Sequence, residues 1–194
     1  GSVTSGNFCG YLAEDRRESY YTLHFVAEFD QPFEVGGTWR DDTVQAGARE
    51  GSGGTTYGSK GHPPAGKGAG GWISFDAKRT PQVTARIGIS YVDEAGARAN
   101  LRRESPQGTT VAATQAATRA KWNELLGQVR VQGGTADERT VFYTALYHAM
   151  LAPNLHSDGD GRYRGMDGKV HGLSKRQQAQ YANYSGWDVY RSQL

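Results

Sequence analysis

The spacing of apolar residues changes at Asp93, and this change constrains the fold more than any other feature of the chain. Before it, apolar positions recur at every second residue, the period of a strand with one covered face. After it they recur three and four apart, the period of an amphipathic helix. A chain patterned this way builds sheets first and helices afterwards.

The clearest strand is 20–29, YYTLHFVAEF, where Leu23, Phe25, Ala27 and Phe29 share one face and Thr22, His24 and Glu28 the other. The Asp-Gln-Pro turn at 30–32 ends it. A short strand is expected around Thr38 and Trp39, then a long polar loop over 41–71 rich in Gly, Ser, Thr, Lys and Pro. Strands return at 72–76 and 83–91. In the latter Val83, Ala85, Ile87, Ile89 and Tyr91 form the expected apolar face, opposite Thr84, Arg86, Gly88 and Ser90. Successive strands without intervening helices favour an antiparallel β-sandwich over 1–92, incomplete on its N-terminal side.

Asp93 opens a helix that runs to Glu104 and stops at Ser105-Pro106. A second is expected over 110–128, capped by Thr109 or Thr110. Its Trp122, Leu125 and Val129 lie on one face, and its alanine-rich first half suits close approach to another surface. Val129-Arg130-Val131 reads as a short strand or extended exit before Gly133-Gly134. These segments make 93–134 a helical linker. The third helix, opening 135–194, begins with Thr135 and Glu138 at capping-box spacing. Phe142, Ala145, Leu146, Ala149 and Met150 mark its apolar face, Tyr143, Tyr147 and His148 read as flanking residues, and Pro153 terminates it.

Composition narrows the function classes. Net charge is +2, from 22 basic and 20 acidic residues, with no Lys/Arg stripe to suggest nucleic acid. No apolar run reaches the length of a membrane span. Cys9 is the single cysteine, so an internal disulfide is excluded, and it reads as a structural thiol. The chain starts without Met or a signal sequence and ends at Leu194 inside an apparent helix, so it is expected to be an excerpt truncated at both ends.

Three segments near the end carry candidate chemistry. Asp158, Asp160 and Asp167 resemble a calcium loop, but its twelfth position would be Lys169, where a bidentate Glu belongs. Asp-Gly turns are the better reading, with Asp167-Gly168 closing a hairpin between Tyr163–Met166 and Lys169–His171. His156 and His171 lack metal-ligand spacing, and Asn183-Tyr-Ser185 matches a glycosylation sequon of low specificity. Ser185 and Asp188 suit a helix start, placing Trp187, Asp188 and Arg191 within about one turn. Such a group holds a sugar when the ring stacks on Trp and its hydroxyls bond the charged groups. A Trp buried between helices beside an Asp–Arg surface pair fits the same residues, and physics alone favours it.

The strings ERTVFYTALYHAMLAPN (138–154), SDGDGRYRGMDGKVH (157–171) and YSGWDVYR (184–191) resemble glycoside hydrolase family 92, the calcium-dependent exo-acting α-mannosidases. YYTLHFVAEFDQPF (20–33), GWISFD (71–76) and ARIGISYVDEAGARANLRRE (85–104) extend the likeness over nearly the whole chain. The resemblance implies a β-sandwich domain, a helical linker and the start of an (α/α)6 barrel. It implies a secreted or periplasmic enzyme that hydrolyses terminal α-linked mannose from N-glycans or mannans with inversion. Inversion needs an acid and a base carboxyl far enough apart to admit water. The resemblance places these, and the Ca2+ ligands, beyond Leu194, so no catalytic or metal residue is assigned here. Trp187 and Asp188 match the family's W-D pair and are expected to line the mannose pocket, with Arg191 contacting sugar or holding Asp188. The family's glycine-rich opening segment is missing, so the chain alone is expected to be inactive. A non-catalytic carbohydrate-binding β-sandwich module is the alternative, and a purely structural adhesion domain a third reading.

Overall fold

The computed structural model describes residues 2–6, 20–52 and 69–184. The chain divides into two units, Gly1–Ile89 and Ser90–Leu194. The first holds β1 (Ser2–Gly6), β2 (Tyr20–Phe29), β3 (Val35–Arg40), β4 (Thr43–Ala46), β5 (Ala69–Ser74) and nearly all of β6 (Ala85–Ser90). They form two three-stranded sheets, ordered β1-β2-β6 and β4-β3-β5.

In the first sheet β1 runs antiparallel to β2, with Ser2 opposite His24 and Gly6 opposite Tyr20. Next to β2, the Asp30 N–H donates to the Thr84 carbonyl at 3.1 Å, and the Thr84 N–H returns to Asp30 Oδ1 at 2.9 Å. Two residues further, Arg86 Nη2 meets Glu28 Oε2 at 2.7 Å. The partners step in opposite senses, as antiparallel neighbours do. In the second sheet β3 is antiparallel to both β4 and β5. Phe29 and Phe75 link the sheets with ring centroids 5.6 Å apart. This is an incomplete antiparallel β-sandwich, as the alternation predicts.

Three strand expectations need correction. The polar segment 41–71 is not all loop: β3 turns through Asp41, at φ 50°, into β4, and β5 already starts at Ala69 and ends at Ser74. Among the described side chains of β2 the buried one is Val26, 8% exposed, on the face expected to point outward. In β6 the faces are reversed: Gly88 and Ser90 are buried, whereas Ile87 and Ile89 are 61% and 50% exposed. Hydrogen bonding explains the reversal. Arg86 pairs with Glu28 and Ser90 Oγ donates to Asp158 Oδ2 at 2.7 Å, so the polar side has the partners.

The second unit contains α1 (Glu94–Glu104), α2 (Val111–Leu126) and α3 (Ala136–Ala149). Four short strands follow: β7 (Asn154–Leu155), β8 (Arg162–Arg164), β9 (Val170–Gly172) and β10 (Tyr181–Ala182). Each helix start is satisfied by a side chain: Asp93 accepts from Gly96, Thr110 from Ala113 and Thr135 from Glu138. At Thr135 the Glu138 carboxylate reciprocates at 2.7 Å, completing the capping box. Val92, Ala97 and Leu101 are the buried apolar residues of this unit among those described, 5%, 0% and 2% exposed.

Trp122 and Tyr147 join α2 to α3 edge to face, centroids 4.6 Å apart, and Tyr143 Oη donates to the Val129 carbonyl at 3.1 Å. The expected flank tyrosines are therefore the contact residues, and Phe142 of the expected core face is 37% exposed. Large aromatic side chains reach the neighbouring helix from positions that spacing alone puts at the margin. The alanine-rich half of α2 is exposed, and no strand forms at 129–131. The predicted hairpin forms as β8 and β9, but Met166 belongs to its turn and is fully exposed. No described helix is long and apolar enough to cross a membrane.

Candidate functional site

Among the described residues of the second unit, a dense polar cluster is built on the SDGDGRYR segment and the start of α1. Asp158 is its centre, 6% exposed, accepting from Ser90 Oγ at 2.7 Å and Asn100 Nδ2 at 2.9 Å. Asn100 Oδ1 in turn accepts the Gly159 N–H at 2.9 Å, and Arg103 bonds the Gly159 carbonyl. A buried carboxylate is tolerated because its oxygens are satisfied in this way. Gly96 makes room for it: a Cβ there would lie 2.3 Å from Asp158 Oδ2 and 2.8 Å from Ser90 Oγ.

Two arginines on β8 tie the segment to the start of the unit. Arg162 Nη1 donates to Asp93 Oδ2 and its Nε to Asp160 Oδ2, both at 2.7 Å. Asp93 thus caps α1 and anchors β8 together. Arg164 donates from Nε to the Tyr91 carbonyl at 3.1 Å and from Nη1 to the Gly168 carbonyl at 2.8 Å. His156 Nε2 lies 2.9 Å from the Arg164 carbonyl, and its ring packs 4.7 Å from Tyr91. At the hairpin end, His171 Nε2 is 3.0 Å from Asp167 Oδ1.

The electrostatics follow these contacts. The Asp160 carboxyl is held below its usual range by the Arg162 backbone N–H and then its guanidinium. His171 and the Lys169 N–H do the same for Asp167. Arg162 is raised by Asp93 and Asp160. A glycosidase general acid needs the opposite, a carboxyl pushed up. The resolved carboxylate shifts among the described residues, at Asp76, Glu138, Asp160 and Asp167, are all downward. The contacts of the cluster hold the shape of the loop.

Asp158, Asp160 and Asp167 each turn their oxygens to protein donors, and no group of three potential ligands converges among the described residues. The pocket residues expected from sequence, Trp187, Asp188 and Arg191, lie outside the described residues, as does Cys9. Asn183 is exposed at φ 60° and donates from Nδ2 to Asn154 Oδ1 at 2.9 Å. What sequence reasoning missed is Asp158 as a hub: its partners stand 58 and 68 residues away. The one local signal was glycine at position 96 inside a helix, where it is otherwise unfavourable.

Residues 1–90 match the model of the glycosyl hydrolase family 92 N-terminal domain, and residues 96–194 that of the family 92 catalytic domain. Among solved structures, a family GH92 inverting mannosidase from Bacteroides thetaiotaomicron is 25% identical with a TM-score of 0.69, covering 88% of this chain and 21% of its own. The family 92 glycosyl hydrolase ccman5 is 27% identical at 0.66, covering 87% and 20%. A second GH92 α-mannosidase from B. thetaiotaomicron is 25% identical at 0.67, covering 89% and 22%. The latter enzyme has also been solved with mannoimidazole. No curated protein matches the chain. The chain spans about a fifth of the length of the solved structures it matches. The chain belongs to glycosyl hydrolase family 92.

Proposed function

We propose that this chain is part of an inverting exo-α-mannosidase that removes terminal α-linked mannose from N-glycans or mannans outside the cytoplasm. The observation that carries the reading is the consecutive match of both family 92 domains along the chain, supported by similarity to solved mannosidases. In this reading Trp187 stacks on the terminal mannose, Asp188 accepts its hydroxyls and Arg191 orients Asp188. The Asp158 cluster fixes the loop of residues 157–171 and does no chemistry. The acid, the base and the Ca2+ ligands come from residues other than those described; Asp93, Asp158, Asp160 and Asp167 are held by protein donors, which supports this reading. The chain alone therefore turns over no mannoside.

The test is to express the longer protein and follow α-mannoside hydrolysis by proton NMR. Release of β-mannose as the first product supports inversion, and α-mannose overturns it. Absence of mannosidase activity in a folded parent overturns the reading as a whole. Turnover by the 194 residues alone would sink the claim that this piece lacks its acid and base.

A further inference from the structure

Among the described residues, two other than glycine have a left-handed backbone, Asp41 at φ 50° and Asn183 at φ 60°. Asp41 turns β3 directly into β4, and that tight turn explains it. Asn183 lies past the end of β10, whose pairing with β7 stops at Ala182, so the ladder does not require its conformation. A left-handed residue that carries a side chain is held there at a cost, and it persists where its surroundings fix it.

The contacts around Asn183 do fix it. Its Nδ2 donates to Asn154 Oδ1 at 2.9 Å, and Asn154 Nδ2 donates to the Leu151 carbonyl at 3.2 Å, just past the end of α3. On the other side of β10, Gln180 is clamped: its carbonyl accepts the His156 and Ser157 N–H groups at 2.8 and 3.1 Å, and its own N–H donates to Ser157 Oγ at 3.1 Å. The segment beneath is anchored in turn, because Asp158 is buried and held by Ser90 and Asn100. The chain therefore leaves β10 from a fixed point, and the backbone of Asn183 sets its direction. Asparagine tolerates this region better than other residues with a side chain.

We propose that Asn183 is a positioning residue: held by Asn154, its left-handed backbone turns the chain onto the course on which residues 184–191 meet mannose. The inference rests on the function proposed above, which gives Trp187 and Asp188 of that segment to the sugar. Alanine at 183 disfavours the left-handed backbone, so the competent course becomes a fraction of the population and apparent affinity falls by that fraction. Saturating substrate draws the population back, so KM rises while kcat is kept. Loss of folded protein does the reverse, lowering apparent kcat at constant KM.

Steady-state hydrolysis of an α-mannobiose by the longer protein tests this. Asn183→Ala should raise KM about tenfold and keep kcat within about twofold of wild type. Asn183→Gly, which takes a φ of 60° without a Cβ to oppose it, should restore most of the loss. Asn154→Ala, which leaves the Asn183 amide without its acceptor, should raise KM by a smaller factor. Thermal unfolding checks folding, and if Asn183→Ala does not fold, Asn154→Ala decides. An unchanged KM in the deciding variant, a fall in kcat at constant KM, or an Asn183→Gly variant as impaired as Asn183→Ala would each overturn the proposal. A wild-type protein without mannosidase activity overturns the proposed function and this inference together, whereas an active wild type whose variants keep its KM overturns the inference alone.

Discussion

Ser90 Oγ donates to Asp158 Oδ2 at 2.7 Å, joining the last residue of a strand to a loop 68 residues later. Both residues are buried, Ser90 at 2% and Asp158 at 6% exposure. Replacing Asp158 by Ala leaves the Ser90 hydroxyl and the Asn100 amide without their acceptor. The expected loss is about 2–4 kcal/mol, combining the lost bonds and the stranded donors. Urea unfolding of the chain measures it, and Ser90→Ala should also destabilise, because it strands one Asp158 oxygen and the Val92 and Asp93 N–H groups that Ser90 Oγ accepts.

Gly96→Ala tests the same site from the opposite side. The added methyl would meet Asp158 Oδ2 at 2.3 Å, so helix propensity, which favours Ala, is overridden. A loss of about 1–3 kcal/mol is expected from forced repacking. A gain in stability would show that α1 and the loop are looser than these distances imply.

Thr135→Ala removes the cap of α3 and should cost about 1 kcal/mol. Glu138 is held below its usual range by the Thr135 backbone N–H and then the Thr135 hydroxyl. Its cap contribution is present above the unfolded carboxyl pKa and fades as pH falls through the lowered folded value. Helicity of wild type and Thr135→Ala, followed by circular dichroism, should converge on acidification.

Asp160 carries a second acid-sensitive contact. Its depressed pKa means that the Arg162 contacts stabilise the fold above the ordinary value of 3.8 and are lost progressively below it. Asp160→Asn should flatten the acid limb of a stability–pH profile and leave the alkaline limb unchanged. An unaltered acid limb would show that Asp160 is not among the groups that set it.

Trp122 and Tyr147 are the aromatic link between α2 and α3, at 4.6 Å. A double-mutant cycle on Trp122→Leu and Tyr147→Leu should give a coupling of about 0.5–1.5 kcal/mol. Coupling near zero would mean that the helices hold their places without this contact.

The readable parts of the fold were those decided within a few residues. Thr135 with Glu138, Asp93 before its helix and Asp167-Gly168 in its turn each satisfy backbone groups three or fewer residues away, so composition and spacing suffice. The face of β6 was misread because Ile87 and Ile89 suggest a covered side by hydrophobicity, while the partners of Arg86 and Ser90 come from distant segments. Tyr143 and Tyr147 were misplaced for a related reason: helical spacing defines a stripe, and the reach of an aromatic side chain widens it. At the candidate site, the Asp-Gly turns were legible, but the role of Asp158 depends on Ser90 and Asn100, whose proximity only the tertiary fold creates.

The reversal of β6 also bears on how this chain behaves at high concentration. β6 lies at the end of its three-stranded sheet and shows two isoleucines to solvent. An oily flank on an outermost strand favours self-association. Ile87→Lys and Ile89→Thr would place polarity on that flank without touching the Ser90–Asp158 contact, and light scattering should find the variant monodisperse to a higher concentration than the natural sequence.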